Sequence, residues 1–225
     1  MLQFILLDFH WSQLLQPQFY IEHGGLWLLL LVVFAETGFF AGFFFPGDSL
    51  LFVAGIYNKD LIEAYFPFIQ NDFMQLLLLW LLITVAGVLG NSFGYAFGRK
   101  VGPAMYNWKD NFFFKKKYLV QANEFYEKHG GGAIVFARFL PFVRTFAPIV
   151  AGIVQMDQKK FTFYNIIGCI SWVFLMLFAG HYLQKWIFNQ FHFDLKEHLE
   201  LIVLGIVIVT TAPVLIKIFI SKRKS

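Results

Sequence analysis

Prolines and charged side chains interrupt two long apolar stretches of this chain, and these interruptions constrain its fold more than any other feature. The first stretch, residues 26–56, contains Glu36, Pro46, Gly47 and Asp48. The second, residues 133–156, contains Arg138, Pro141, Arg144 and Pro148. A straight helix facing lipid cannot accommodate them, because every backbone polar group in the bilayer core must be bonded internally. We therefore predict two re-entrant helical hairpins, with breaks at Pro46, Gly47, Pro141 and Pro148.

The composition places the chain in a membrane. Hydrophobic residues make up 58% of the 225 residues and charged residues 14%, against ~25% charged residues in soluble domains. One crossing takes ~20 apolar residues, so no length remains for a separate catalytic domain. We predict a single all-α integral membrane domain over residues 1–225. The excess of basic residues is expected to mark the cytoplasmic membrane face, and no nucleic-acid partner is predicted.

The pattern of apolar and polar residues divides the chain into segments. Residues near the amino terminus mix aromatic and polar side chains, which is typical of a segment lying in the membrane interface. Gly90, Gly94 and Gly98 fall on one face of a clean apolar run, where small residues allow another helix to approach closely. The predicted segments are an interfacial segment 1–25, a helix with the first hairpin 26–58, a spanning helix 76–98, an amphipathic helix 116–129, the second hairpin 133–156, and spanning helices 161–184 and 199–220.

Basic residues predict the orientation in the membrane. The stretch 99–132 and the tail ending Lys222-Arg223-Lys224 are rich in Lys and Arg, whereas residues 1–75 contain only Lys59. Because cytoplasmic loops carry the excess of basic residues, the carboxyl terminus is predicted to be cytoplasmic. The second hairpin then enters from the cytoplasm and the first from outside. Each hairpin contains a proline and, further along, the sequence Val-Ala-Gly: Pro46 with Val53-Ala54-Gly55, and Pro141 with Val150-Ala151-Gly152. Together with the opposed orientation, this likeness predicts an inverted repeat.

Four ionisable residues lie within the broken stretches: Glu36, Asp48, Arg138 and Arg144. A charge at the bilayer centre costs ~2.5–3.5 kcal/mol, so four unpaired charges would cost about 10–14 kcal/mol, similar to the stability of a whole domain. We expect them to be paired or hydrated where the hairpins meet. Carboxylates there could exchange protons, and arginines could bind a phosphate group with two hydrogen bonds. Permanent salt bridges that only join the hairpins are the alternative interpretation.

The sequence contains no motif for other chemistry. It has no P-loop, no Gly-x-Ser-x-Gly and no His-Glu-x-x-His. Its histidines do not cluster at metal-ligand spacing, and the single cysteine, Cys169, cannot form an internal disulfide. We therefore predict neither enzymatic activity nor a metal or cofactor. A membrane phosphatase that holds phosphate on Arg144 and uses a histidine nucleophile is the enzymatic alternative.

The sequence resembles the DedA family of membrane proteins, also called SNARE-associated or VTT-domain proteins. The resemblance spans nearly the whole chain and includes two specific motifs, Pro-Gly-Asp and Arg-x-x-Pro-x-x-Arg. The matching elements are Glu36-Thr37-Gly38, Phe45 to Leu51, Ala54-Gly55, Gly90-Asn91, Tyr95, Gly98-Arg99, Phe125 to Gly130, Ala137 to Phe139, Pro141, Arg144, Pro148, Ala151-Gly152, Asn165 and Trp172. The resemblance implies paired re-entrant hairpins and a multi-pass protein of the bacterial cytoplasmic membrane.

The resemblance also implies a function. Family members support envelope integrity in a manner that depends on the proton motive force, and bacterial members are implicated in returning undecaprenyl phosphate across the membrane. Protons and membrane lipids are therefore the expected partners, with Arg138 and Arg144 holding the lipid headgroup while Glu36 and Asp48 exchange protons. A proton-coupled antiporter of small cations and a membrane-organising protein without transport are the alternatives. The sequence leaves open whether the chain forms a homo-oligomer.

Overall fold

A computed structural model of the chain describes residues 17–39, 47–105, 124, 126–128, 130–192, 195 and 205. Within these residues the regular structure is helical and no strand occurs, so the prediction of an all-α protein is confirmed. The helices are α1 (Pro17–Gly38), α2 (Gly47–Ile56), α3 (Asn58–Glu63), α4 (Asp72–Met105), α5 (Gly132–Ala137), α6 (Pro141–Ile153) and α7 (Gln158–Phe191).

Two of these helices, α4 and α7, are long and apolar enough to cross a membrane. Each has 34 residues. At 1.5 Å per residue each is about 51 Å long, which exceeds the ~30 Å hydrocarbon core of a bilayer. They include the residues of the predicted spanning helices 76–98 and 161–184. Most of the predicted segments 1–25 and 116–129, and all of the predicted span 199–220 except residue 205, lie outside the described residues.

The second broken stretch folds as two short helices, α5 and α6, separated by three residues. Leu140 is extended, with φ −110° and ψ 108°, and Pro141 is the first residue of α6. Proline suits that position because its missing N–H has no partner in the first helical turn and its φ is already helical. The chain therefore breaks where Pro141 predicts.

Pro148 does not break the chain, and the prediction of a break there is wrong. The residue lies inside α6, which continues to Ile153. A proline inside a helix removes the N–H that would bond to the carbonyl four residues earlier, here that of Arg144, and its ring crowds that carbonyl. Pro148 is buried, with Ala147 and Ile149 buried on either side, so packing holds the helix together across this position.

The first broken stretch also contains separate helices. α1 ends at Gly38 and α2 begins at Gly47, the second predicted break residue of this stretch. Pro46 lies outside the described residues. α1 has a kink of its own at Gly25, whose φ of 54° is one that glycine adopts without strain.

The chain divides into two compact units, and both long helices contribute to each. The first unit comprises Met1–Val32, Phe44–Leu79 and Met176–Ser225, and the second comprises Val33–Phe43 and Trp80–Leu175. In the second unit α4 and α7 are antiparallel, because Trp80 donates to the Ile170 carbonyl at 3.2 Å while the Asn91 amide lies 2.6 Å from Asn165 Oδ1.

A close helix crossing occurs in each unit, and the two crossings share one pattern. In each, a glycine on a short helix faces the backbone of a long helix, and a glycine on the long helix faces the backbone of the short helix. A Cβ added at any of these glycines would overlap a backbone atom of the other helix. The first crossing pairs Phe52 and Gly55 of α2 with Leu177 and Gly180 of α7, and the second pairs Ile149 and Gly152 of α6 with Tyr95 and Gly98 of α4.

The predicted packing role of the α4 glycines is confirmed. Gly90 faces the backbone of Phe34, Gly94 approaches the Gly38 carbonyl, and Gly98 faces the Ile149 carbonyl. Glycine permits these approaches because it has no side chain, and the van der Waals packing that results contributes to helix association inside a bilayer. The face of α4 that carries these glycines therefore brings α1 and α6 together in the second unit.

Candidate functional site

A buried ion pair joins the two broken stretches within the second unit. Arg144 Nη2 donates to Glu36 Oε1 at 2.5 Å, and the side chains are 9% and 1% exposed. Glu36 lies near the end of α1, and Arg144 is in the first turn of α6, just after the break at Pro141. The glycine-lined face of α4 packs against both helices, so these two charges meet although 108 residues separate them in sequence.

The second predicted arginine, Arg138, is buried among neutral groups. It follows α5 directly and is 4% exposed. Its Nη2 donates to Asn165 Oδ1 at 2.9 Å and lies 2.9 Å from Cys169 Sγ. Among the residues that the structure describes, no carboxylate forms a salt bridge with Arg138. A buried guanidinium with neutral partners is costly, because burial without an opposite charge removes its hydration and supplies no Coulombic compensation.

The indole ring of Trp172 lies against both arginines. The Arg138 Cζ atom is 5.6 Å from the ring centroid and the Arg144 Cζ atom is 5.0 Å from it. Cation–π contacts of this kind contribute ~0.5–2 kcal/mol, with the larger values where water is excluded. Trp172 is itself almost fully buried. The ring therefore holds the two guanidiniums in one local environment.

Two amide side chains extend the polar cluster between α4 and α7. The Asn91 amide contacts Asn165 Oδ1 at 2.6 Å, and Asn165 donates to the Val88 carbonyl at 3.2 Å. Because both amides are buried, these bonds satisfy groups that would otherwise be costly to place in an apolar interior. They also fix the Asn165 oxygen where it accepts from Arg138.

Sequence reasoning identified the charges but gave the α7 residues no separate role. Asn165 and Trp172 entered only as parts of the family resemblance, and Cys169 was considered only for disulfides. Asn165, Cys169 and Trp172 are spaced i, i+4, i+7, which places them on one face of a helix. A polar residue and a tryptophan on the same face of an otherwise apolar span is the signal that could have identified this side of the site.

The fourth predicted charge, Asp48, lies in the first unit. It is the second residue of α2 and is partly buried, whereas most of α2 is fully buried. The structure thus brings together Glu36, Arg138 and Arg144 in the second unit. The prediction that Asp48 shares a pocket with these three residues stays a prediction.

A tyrosine outside the spanning helices anchors α6. The Tyr126 hydroxyl donates to the Ala147 carbonyl at 3.0 Å. Burial raises the pKa of Tyr126, so the phenol remains a neutral donor. Within the described part of the chain no group of three or more His, Cys, Asp or Glu side chains is placed to hold a metal ion.

These features define a class of protein. The chain is a helical membrane protein with long apolar helices, short broken helices, and a buried cluster of arginines, a glutamate and amides. A family model named the VTT domain matches residues 24–182. The chain therefore belongs to the DedA family of VTT-domain membrane proteins, and the resemblance noted in the sequence is confirmed.

Relatives of known name cover most of the chain. Protein DedA of Escherichia coli strain K12 is 34% identical over 227 residues, which cover 99% of this chain and 94% of the relative. An uncharacterized membrane protein of Mycobacterium leprae, ML0287, is 34% identical over 90% of this chain and 86% of its own length. Inner membrane protein YqjA of E. coli is 31% identical over 70% of this chain and 67% of its own length. No solved structure matches the chain significantly.

Proposed function

We propose that the chain is a transporter, linked to the proton motive force, that returns undecaprenyl phosphate across the cytoplasmic membrane and so supports envelope integrity. One observation carries the proposal. Arg138 is a buried cation whose contacts are with neutral groups, and it lies against the same indole ring as the buried Glu36–Arg144 pair. This arrangement supports binding of an anion beside a carboxylate that can change its protonation state.

A phosphate headgroup suits this cluster. A phosphate monoester carries a charge of about −1.5 to −2 at pH 7 and has three strong acceptor oxygens. A guanidinium presents donors in a planar fork that matches two of those oxygens, and it stays charged at any physiological pH. A phosphate at Arg138 would therefore supply the negative charge that the neutral partners Asn165 and Cys169 do not.

The ion pair gives a route from anion binding to proton uptake. A phosphate that bonds to Arg144 would compete with Glu36 for the same guanidinium. Glu36 is almost fully buried, and a buried carboxylate without a cation favours its protonated form. Glu36 would then take up one proton as the headgroup binds and release it when the pair re-forms. Asp48 is the second carboxylate proposed to exchange protons.

The proposal includes the finer architecture predicted from the sequence. Two re-entrant hairpins would enter from opposite membrane faces as an inverted repeat, with the carboxyl terminus in the cytoplasm. The shared pattern of the two glycine crossings supports a repeat, because aligning Val53-Ala54-Gly55 of α2 with Val150-Ala151-Gly152 of α6 also aligns the crossing residues. In that alignment Asp48 matches Thr145, the neighbour of Arg144.

The surface of the second hairpin is suited to a lipid chain. An apolar groove of about 240 Å³ runs along α5 and α6, and its lining includes Ala133, Phe136, Leu140, Val143 and Val150. Several of these side chains are exposed, as expected where a protein surface faces lipid. An isoprenoid tail could therefore remain in contact with lipid while the headgroup enters the polar cluster.

Transport by the reconstituted full-length chain tests the proposal. Vesicles of phosphatidylethanolamine and phosphatidylglycerol would carry labelled undecaprenyl phosphate, and its movement between leaflets would be followed with and without a pH gradient. We expect Arg138→Gln to slow movement about 10- to 150-fold, the equivalent of the ~1.5–3 kcal/mol contributed by hydrogen bonds to a charged group. Arg138→Lys keeps the charge but loses the fork, so it should recover only part of the rate.

Lys159→Gln, which removes an exposed positive charge at the start of α7, is the matched control and should transport normally. Normal lipid movement in a folded Arg138→Gln variant would contradict the headgroup role. Vesicle acidity that responds to added cations without lipid movement would instead favour the antiporter. If neither lipid nor cations move, a membrane-organising role is favoured.

A further inference from the structure

A second polar cluster lies in the first unit, where α4 begins and α7 approaches its end. Asp72 Oδ2 lies 3.0 Å from His181 Nε2 and also pairs with Lys185. The His181 side chain is 7% exposed, whereas those of Asp72 and Lys185 are 45% and 50% exposed. A buried imidazole therefore contacts water-accessible charged groups.

We infer that His181, with Asp72 as its partner, forms a proton-binding site that links the outside pH to the first hairpin. The inference rests on the proposed function and adds to it a site of proton entry. Histidine is the side chain whose ordinary titration falls between about pH 5 and pH 8. The charge distribution of the sequence assigns this end of α4 and α7 to the outside of the membrane.

The hydrogen bond determines which imidazole nitrogen binds the proton. An ionised carboxylate only accepts hydrogen bonds, so Nε2 of His181 must carry the hydrogen at its 3.0 Å contact with Asp72. The incoming proton is therefore bound at Nδ1. Neutral His181 leaves the opposite charges of Asp72 and Lys185 balanced, whereas protonated His181 adds one positive charge to the cluster.

The surroundings of His181 include titratable groups from two helices. Asp72 comes from α4, while Lys185 and Tyr182 come from α7, with the Tyr182 ring centroid 5.2 Å from that of His181. Glu63 at the end of α3 is one step further away, because it accepts from Gln75, one turn after Asp72 on α4. From α2, the residue that packs on the His181 backbone is Gly55, which has no titratable side chain.

The position of His181 connects the site to α2. A Cβ added at Gly55 would lie 3.0 Å from the His181 backbone nitrogen, so α2 packs directly on this turn of α7. Asp48 lies on the same short helix as Gly55, two turns earlier. The turn of α7 that carries the imidazole is therefore also the turn that packs against the helix of the second proposed proton-exchanging carboxylate.

Two measurements on the full-length protein test the inference. In the first, inward movement of labelled undecaprenyl phosphate is compared at outside pH 6 and pH 8 in vesicles of phosphatidylethanolamine and phosphatidylglycerol. The two pH values bracket the range in which histidine side chains ordinarily change their charge, so the comparison covers both states of such a site. We expect the rate to be higher at pH 6.

The variant His181→Gln should reduce this change to less than about twofold, because an amide can donate to Asp72 but does not titrate. His192→Gln replaces an exposed histidine just beyond α7 and should leave the pH dependence unchanged. A His181→Gln protein that moves lipid with the wild-type pH dependence would overturn the inference and leave the proposed function intact.

The second measurement does not depend on lipid movement. Nuclear magnetic resonance of histidine-labelled protein in detergent would follow the His181 imidazole, identified as the signal lost in His181→Gln. We expect His181 to change its protonation state between pH 5 and pH 8. A side chain that stays in one state across this range would overturn the inference even if transport is observed, whereas absent transport with a titrating His181 would contradict only the proposed function.

Discussion

Removing Arg144 should destabilise the protein by an amount that depends on pH. In Arg144→Met, Glu36 keeps its buried position but loses the guanidinium to which it bonds at 2.5 Å. Breaking a buried ion pair at one partner costs ~3–5 kcal/mol when the other charge stays in place. Glu36 can limit this cost by taking up a proton. A carboxyl group has an ordinary pKa of ~4.3, so keeping it protonated at pH 7 costs about 3.7 kcal/mol. This value is therefore the upper limit of the destabilisation at pH 7.

The sign of the pH dependence follows from this limit. In folded Arg144→Met the Glu36 carboxyl group carries a proton, whereas in the unfolded chain at the same pH it is ionised. Because the folded state binds more protons, the stability of the variant rises as the pH falls. Each pH unit changes the cost by ~1.4 kcal/mol, which leaves about 2.3 kcal/mol at pH 6. For a chain of this size 1 kcal/mol corresponds to a change of ~2–4 °C in Tm. We therefore expect Tm to drop by about 7–15 °C at pH 7 and by a third less at pH 6.

Thermal unfolding in detergent, followed by tryptophan fluorescence at both pH values, would measure these changes. Lys59→Met breaks the exposed pair between Lys59 and Glu63 and should cost less than ~1 kcal/mol, because surface ion pairs contribute little. The double variant Glu36→Gln with Arg144→Met removes both charges and should recover at least half of the lost Tm. An Arg144→Met protein that is no less stable than Lys59→Met, or that shows no pH dependence, would refute the buried pair.

Two further predictions concern packing. Gly98→Leu should prevent the close approach of α6 to α4, since any side chain there would overlap the Ile149 carbonyl. Gly132→Leu is the control, because a Cβ added at Gly132 would meet no other atom within 4 Å. The two variants would be compared by their monodisperse yield in size-exclusion chromatography, where only Gly98→Leu should lose yield. Tyr126→Phe removes a hydrogen bond to α6 and should cost about 1 kcal/mol, seen as a Tm lower by ~2–4 °C. An unchanged Tm would show that this bond does not hold α6.

The sequence was most informative where a physical constraint acts on single residues. Pro141 has no N–H to donate and its φ is already helical, which favours the first position of a helix, where it lies. Pro148 was misinterpreted for a related reason, because the effect of a proline inside a helix depends on whether neighbouring packing offsets the lost bond. Glu36, Arg138 and Arg144 could be predicted to share a polar environment because an isolated charge within an apolar stretch has a large cost wherever it lies.

The partners of these charges could not be derived in the same way. Balanced charges predict that acids and bases meet, but they do not predict that Glu36 bonds to Arg144 while Arg138 bonds to Asn165. That choice depends on how each helix is rotated about its axis. The rotation is determined by contacts between residues that are far apart in sequence. The His181–Asp72 pair was missed for the same reason, since its members are 109 residues apart.

The amino-acid sequence alone determined that this is an all-α membrane protein of the DedA family, because apolar length, chain breaks and family motifs are local properties. Only the tertiary structure decided which side chains share an environment. The crossings at Gly55 and Gly98 set the approach of each short helix to its long helix, and this approach places Arg144 on Glu36 in one unit. Side chains at such distances along the chain interact only after the helices have packed, so their pairing is a property of the packed helices.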